Sequence, residues 1–245
     1  MPPVIDVYGA TDIGHIRKTN EDVFKIVEND LLFSIADGMG GHKAGDIAAK
    51  EATNQIFNLL SKTIKAETSL DQVIYHIDLA IKEANFRVYN LSRSNQNFLG
   101  MGTTLCFLYL HPTYAVFAHI GDSRIYHYQK SSLNLIQLTK DHSLINKLKD
   151  QNKAVSTKPC KNIITKAIGT HAKIEPSIDK TLFEIDDIFL MCTDGLTDYI
   201  SNSDLKKIIE ASASPKNLCD ELINRAKNNG SSDNITAIAI KIIEK

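Results

Sequence analysis

The chain is predicted to adopt an α+β fold, mostly antiparallel, with its helices segregated onto the sheet faces. Three observations carry this. Short apolar runs recur along the sequence, each closed by turn residues or an aspartate, as buried strands are. Two stretches in the first half and two shorter ones near the carboxyl end carry a helical period instead. The resulting order, β–α–α–many β–α–β, keeps helices and strands in separate blocks, the pattern of helices lying on sheet faces.

Taken in order, residues 4–10 and 23–28 read as short strands on either side of the polar segment TDIGHIRKTNED. The organising stretch is LLFSIADGMGG at 31–41. Leu31, Leu32, Phe33, Ile35 and Ala36 form an apolar run that stops abruptly at Asp37-Gly38, so a buried strand delivers one carboxylate to its end. Asn29-Asp30 reads as the hairpin turn before it. Residues 44–60 place Ile47, Ala48, Ala52, Ile56, Leu59 and Leu60 at helical spacing. Residues 70–91 repeat the i, i+3, i+4, i+7 pattern through Leu70, Val73, Ile74, Ile77, Ile81, Ala84, Val88 and Leu91, with Ser69 as the candidate cap. These two helices are expected to pack antiparallel over one sheet.

Strands at 103–110, 114–120, 124–129 and 133–138 follow, separated by short turns. Residues 140–170 are polar and irregular, with one short helix at 143–149; a stretch of that length marks a functional flap or a disordered segment. Strands at 181–185 and 188–192 are read across Asp186-Asp187, then helices at 203–211 and 215–228 and a last strand at 235–243. No repeat, low-complexity tract or linker interrupts the 245 residues, which are read as one domain.

At 43% hydrophobic and 23% charged, the composition is that of an ordinary globular protein. A net charge of −1 provides no global field to recruit nucleic acid or anionic lipid. The amino terminus lacks the pattern of a signal peptide, and no apolar run reaches the roughly 18–20 residues that span a bilayer. Cys106, Cys160, Cys192 and Cys219 show no CxxC spacing, and Cys106 and Cys192 sit inside apolar runs as small hydrophobes. A cytoplasmic monomer with no membrane or nucleic-acid partner is the expectation.

The device at Asp37 recurs. VFAHIGD closes on Asp122, IFLMCTDG closes on Asp194, and SSDNITAIAI places Asp233 just before its apolar run. A single Asp-Gly is an ordinary turn. Four aspartates at the borders of buried strands are another matter, because a buried carboxylate is costly without a partner and few lysines or arginines neighbour them in sequence. A shared hard cation bound by oxygen ligands is the simplest partner.

These residues resemble the metal-dependent protein phosphatases of type 2C, in their compact bacterial form. The resemblance runs in order through TDIGHIRKTNED, FSIADGMGGHKAGDIAA, GMGTTL, AHIGDSRIYHY, LTKDHSLI, ITKAIGT, FLMCTDGLTDYI and SSDNITAIAI. It implies a four-layer αββα sandwich with the site in the cleft between the sheets' loop ends. It further implies hydrolysis of phosphoserine and phosphothreonine in proteins, with a cognate bacterial Ser/Thr kinase and its substrates as partners. Asp37 is implied to bridge two Mg2+ or Mn2+ ions with the Gly38 carbonyl as a further ligand, Asp194 and Asp233 to complete the second ion's shell, and Glu21 to hold the first ion's waters. Asp122 is implied to bind a third, weaker ion, sharing Asp194, with Asp198 as a contributor. Arg17 matches the arginine that clamps the substrate phosphate, a task suited to its fork of donors. Residues 140–170 correspond to the flap beside the active site.

Met39 stands where eukaryotic members place the histidine proposed as general acid. His42 is read as a structural histidine, which leaves the acid unassigned and metal-bound water as the default. Asp46 and Lys166 replace a common glutamate and arginine with charge sign kept. His119 and His127 are read as hydrogen-bonded sheet residues, Asp141-His142 as structure or substrate positioning at the flap base, and Gly100–Thr104 as packing near the metal strands. Lys147, Lys149, Lys153 and Lys158 are read as a solvated face. Two alternatives stand beside the phosphatase: a catalytically silent phosphoprotein-binding module, against which the retained carboxylates count, and a hydrolase of a small phosphorylated metabolite.

Overall fold

The computed structural model describes residues 2–40, 44–65, 67–151 and 163–245. Its strands are β1 (Val4–Asp12), β2 (Asp22–Val27), β3 (Leu32–Met39), β4 (Gly102–Thr103), β5 (Leu105–Leu110), β6 (Tyr114–Ile120), β7 (Arg124–Gln129), β8 (Asn134–Gln137), β9 (Ser177–Leu182), β10 (Ile188–Cys192) and β11 (Ile235–Glu244). Its helices are α1 (Ala44–Thr63), α2 (Leu70–Ser94), α3 (Leu144–Asp150), α4 (Asp194–Thr197), α5 (Asn202–Ala211) and α6 (Pro215–Asn228).

Two antiparallel sheets form. One runs in the order β1-β11-β10-β7-β8; the other runs β2-β3-β5-β6-β9, with β4 paired to β3. Alternation along the strands explains the layering, since successive side chains point to opposite faces. Ile125, Phe189, Met191, Ile238, Ile240 and Ile242 point to one face and share a core with the second sheet and with α1 and α2. Their neighbours Tyr126, Tyr128, Leu190, Cys192, Ala237 and Ala239 point the other way, into a second core with α5 and α6. Each sheet is thus covered on both faces, which is why central strands such as β5, β6, β10 and β11 are near-continuous apolar runs. The layers are α, β, β, α, as the family resemblance implies.

The helices start where their caps allow. Ser69 and Gln72 form a reciprocal capping box on α2, Ser201 caps α5, and Ser214 caps α6 with Pro215 in the first turn. The packing of α1 against α2 is tied at the surface by Arg87 Nε on Glu51 Oε2 at 2.6 Å.

Several boundaries differ from the sequence expectation. Leu31 is not the first strand residue: it takes a left-handed φ of 54° to close the turn at 28–30, and β3 starts at Leu32. The run 103–110 is broken at Thr104, whose side chain is diverted to the backbone of Asp37. The strand read at 181–185 lies earlier, at Ser177–Leu182, and does not form a hairpin with Ile188–Cys192, because the two belong to different sheets. The segment between them is a crossover pinned by buried Asp187, which accepts the N–H groups of Glu184 and Lys130 and is bonded to His127 Nε2 at 2.8 Å. Among the described residues no helix is long and apolar enough to cross a membrane.

Antiparallel pairing decides where the carboxylates go. Asp22 opens β2 directly opposite Asp37 near the end of β3. The start of β5 meets the end of β6, and the end of β10 meets the starts of β7 and β11. The strand borders carrying Asp37, Asp122, Asp194 and Asp233 therefore fall at one end of the sandwich.

Candidate active site

Asp37 is held through its backbone. Its N–H donates to Thr104 Oγ1 at 2.9 Å, and its carbonyl accepts the Thr104 N–H and the Thr103 hydroxyl, both at 2.9 Å. Thr104 Oγ1 also lies 2.7 Å from Ser123 Oγ, beside Asp122. Thr104 thus joins β3 at Asp37 to the loop that carries Asp122. Next along β3, Gly38 touches α1: a Cβ there would lie 2.3 Å from the Gly45 carbonyl oxygen and 2.8 Å from that of Glu21, so only glycine fits. The Gly38 N–H donates to the Glu21 carbonyl at 3.2 Å. Glu21 extends its own carboxylate over Gly45 at the start of α1.

The electrostatics are those of crowded acids. Burial, and then the charges of Asp22, Asp194, Asp233 and Asp122, push the Asp37 carboxyl well above the ordinary carboxylate range. Burial pushes Asp122 up to about 7, reinforced by Asp194 and Asp141. Burial also raises Asp194 to about 6, reinforced by Asp233 and Asp198, while a hydrogen bond with the Asp37 side chain works against the rise. Glu21 is raised by burial, with Arg17 opposing. Asp198 is exposed and lies on the rim of a cavity of about 250 Å³ whose lining includes Asp122, Asp194, Arg124, Asp141 and Lys149.

Arg17 lies across this cluster from the loop between β1 and β2. Its Nη2 is 2.6 Å from Asp233 Oδ2, and both side chains remain partly exposed. Asp233 Oδ1 accepts the N–H of Asn234 at 2.8 Å. The segment that follows β8 is tied down by Arg124, which forks onto Asp141 at 2.9, 3.2 and 2.7 Å. His142 accepts the Gly121 N–H on Nδ1 and so donates from Nε2 to Ser177 Oγ; burial, with His119 and Lys166 adding to it, lowers its pKa to about 3. His119 stacks on it and bonds the Lys140 carbonyl. His119 is a hydrogen-bonded sheet residue, as read from the sequence, and His142 ties the Gly121 turn to Ser177. Lys147 and Lys149 are exposed on α3. Gly41, His42, Lys153, Lys158 and Cys160 lie outside the described residues.

Do these residues suit a divalent cation? Asp22 Oδ1, Asp122 Oδ1 and Asp194 Oδ1 are buried with no hydrogen-bond partner, and such oxygens need a positive charge or a proton. The charges that raise Asp37 are all carboxylates, the set that selects hard cations such as Mg2+, Mn2+ or Ca2+. Among the described residues no three His, Cys, Asp or Glu side chains already stand at the spacing of a metal shell. The fit therefore rests on the orphaned oxygens and the unbalanced charge.

Two residues escaped the sequence reading. Asp22 is buried behind Asp37, accepts hydroxyls from Thr236 at 2.6 Å and Thr193 at 2.9 Å, and is pushed up to about 7 chiefly by burial. Its one signal is an acid opening a strand beside Glu21. Asn234, next to Asp233, reaches back to the Arg17 loop.

A profile of the family described as Protein phosphatase 2C matches residues 15–236. The chain belongs to the protein phosphatase 2C family. Serine/threonine phosphatase stp of Listeria welshimeri is 34% identical over 241 residues, 94% of this chain and 93% of its own. Protein phosphatase PhpP of Streptococcus pneumoniae is 32% identical over 249 residues, 96% of each chain. Among solved structures, the serine/threonine phosphatase of S. agalactiae superimposes with a TM-score of 0.89 at 31% identity, over 98% of this chain and 100% of that one. The catalytic domain of the phosphatase PstP, in complex with 2 manganese ions, gives a TM-score of 0.85 at 25% identity over 98% and 99% of the two chains. This chain is a protein serine/threonine phosphatase of the bacterial type 2C kind, a metal-dependent family, and the resemblance read from its eight motifs holds.

Proposed function

We propose that the phosphatase hydrolyses phosphoserine and phosphothreonine in proteins at the cluster around Asp37, using Mg2+ or Mn2+. Asp37 with the Gly38 carbonyl, Glu21, Asp194 and Asp233 would hold two ions, and Asp122 with Asp194, and Asp198 at the edge, would hold a third, weaker one. When bound, such ions supply a water acidified to near-neutral pH and positive charge beside the phosphoryl oxygens. The chain's own residues do the rest. Arg17 receives the phosphate on its planar fork of donors, and Asp233, 2.6 Å away, holds the guanidinium over the site beforehand. Preorganised charge of this kind acts on the transition state without reorganising. Asp22, locked by two hydroxyls behind Asp37, fixes the rear of the site.

The observation that carries the proposal is the convergence of Asp22, Asp122, Asp194 and Asp233 on Asp37 at one end of the sandwich, each close enough for its charge to raise Asp37. Residues 1–245 act as one catalytic domain with the flap at 140–170. Phosphorylated proteins, with a cognate Ser/Thr kinase acting on the same targets, are the partners, and a cytoplasmic monomer is the working state. The test is phosphate release from a phosphothreonine peptide with Mn2+ and then with EDTA, for wild type and Asp37→Ala. Activity that requires Mn2+ and vanishes in the variant is the expected result. An Asp37→Ala enzyme of normal activity would remove Asp37 from the metal-holding set.

A further inference from the structure

We propose that Asn234 is a positioning residue for Arg17, holding the arginine loop in register with the carboxylates. One buried side chain makes three bonds to the two stems of that loop. Its Nδ2 donates to the carbonyls of Ile13 and Thr19, both at 3.0 Å, and its Oδ1 accepts the Glu21 N–H at 2.9 Å. Asn234 is 5% exposed, so water does not compete for these bonds. Its own N–H donates to Asp233 Oδ1 at 2.8 Å, while Asp233 Oδ2 takes Arg17. The same residue therefore fixes the loop that carries Arg17 and the carboxylate that Arg17 rests on.

The loop side of this contact is equally close. Gly14 has a φ of +76°, and a Cβ there would lie 2.3 Å from the Asp233 carbonyl oxygen. The Gly14 N–H is held by Asp12 Oδ1 at 2.8 Å, and Asp12 Oδ2 is paired to Lys227 of α6 at 2.8 Å. Loop and strand edge thus meet backbone to backbone, with Asn234 as the side chain that spans both stems. Aspartate at 234 would present oxygen to two carbonyls, and serine or alanine would not reach them. The amide is the side chain that supplies two donors and an acceptor at this size.

This inference rests on Arg17 as the phosphate clamp, and the experiment separates the two. Asn234→Ala and Gly14→Ala perturb the contact from opposite sides, so one remains informative if the other does not fold. KM for a phosphothreonine peptide is measured for each alone and combined with Arg17→Ala, and hydrogen exchange of the 13–21 amides is followed in EDTA, where no ion contributes. The expected result is a KM raised on the order of tenfold, little further rise on the Arg17→Ala background, and faster exchange confined to the 13–21 segment. An equal KM increase with and without Arg17, or unchanged exchange at the Glu21 amide, overturns the proposal. If Arg17→Ala itself leaves KM unchanged, the clamp assignment falls first and the positioning role falls with it. If Arg17→Ala raises KM but neither partner variant does, the positioning role alone is wrong.

Discussion

Replacing Thr104 with valine tests how the fold supports the site without touching a carboxylate. The side chain keeps its shape but loses Oγ1, which accepts the Asp37 N–H at 2.9 Å and pairs with Ser123 Oγ at 2.7 Å. Thr104 and Ser123 are 0% and 1% exposed, so no solvent replaces either bond. Stranding one buried donor and removing a second bond costs about 3 kcal/mol, which at this chain length lowers Tm by roughly 6–12 °C. Asp37 is the carboxylate whose backbone is released, so Mn2+ activation should shift to a concentration several-fold higher as the ligand loses its preorganisation. Calorimetry gives Tm in EDTA, and phosphate release against Mn2+ concentration gives half-saturation. Thr104→Ser, which restores the hydroxyl, should recover most of both. A Thr104→Val protein melting within about 1 °C of wild type, with the same half-saturating Mn2+, would show that the hydroxyl does not hold Asp37.

Two further outcomes follow from the crowded acids. In EDTA the folded chain keeps protons on Asp22 and Asp122 to about pH 7 and on Asp194 to about pH 6, whereas an unfolded aspartate loses its proton near pH 4. The folded state then binds more protons across that window, so metal-free stability falls as pH rises from about 4 to 7. Tm in EDTA should increase as pH is lowered from about 8 to 5.5, and saturating Mn2+ should remove the trend; a metal-free Tm that rises with pH refutes the assignment of buried, mutually repelling carboxylates. Asp122→Ala should slow turnover and leave two-ion binding intact by titration calorimetry, while raising the metal-free Tm because an orphaned buried oxygen is gone. Loss of all ion binding in that variant would place Asp122 in the core of the site instead of its edge.

Much of the site was legible because aspartates at the ends of apolar runs are conspicuous: Asp37, Asp122, Asp194 and Asp233 each interrupt or abut a strand of buried residues. Asp22 was not, since its importance comes from the register that sets it opposite Asp37, and register is a property of two strands at once. The crossover at 183–187 is not legible locally for a related reason. Two apolar runs separated by Asp186-Asp187 look like a hairpin, and only the partners available in each sheet decide that they part. Nothing in the local sequence marks Asn234, because its three bonds go to residues more than 200 positions away.

By itself the sequence pointed to a hard cation, through oxygen-only side chains at strand borders, and its resemblance to the type 2C phosphatases added the reaction and the role of Arg17. It determined the helical and strand periods, since burial on one face or two leaves its mark on every second or fourth residue. The tertiary structure alone decided which strands share a sheet, which carboxylates share an electrostatic environment, and which side chain holds Arg17 in place. Those are decided late because they depend on non-local contacts. The charge of a carboxylate is local, but the pull of its neighbours falls off with distance, and the fold sets the distances.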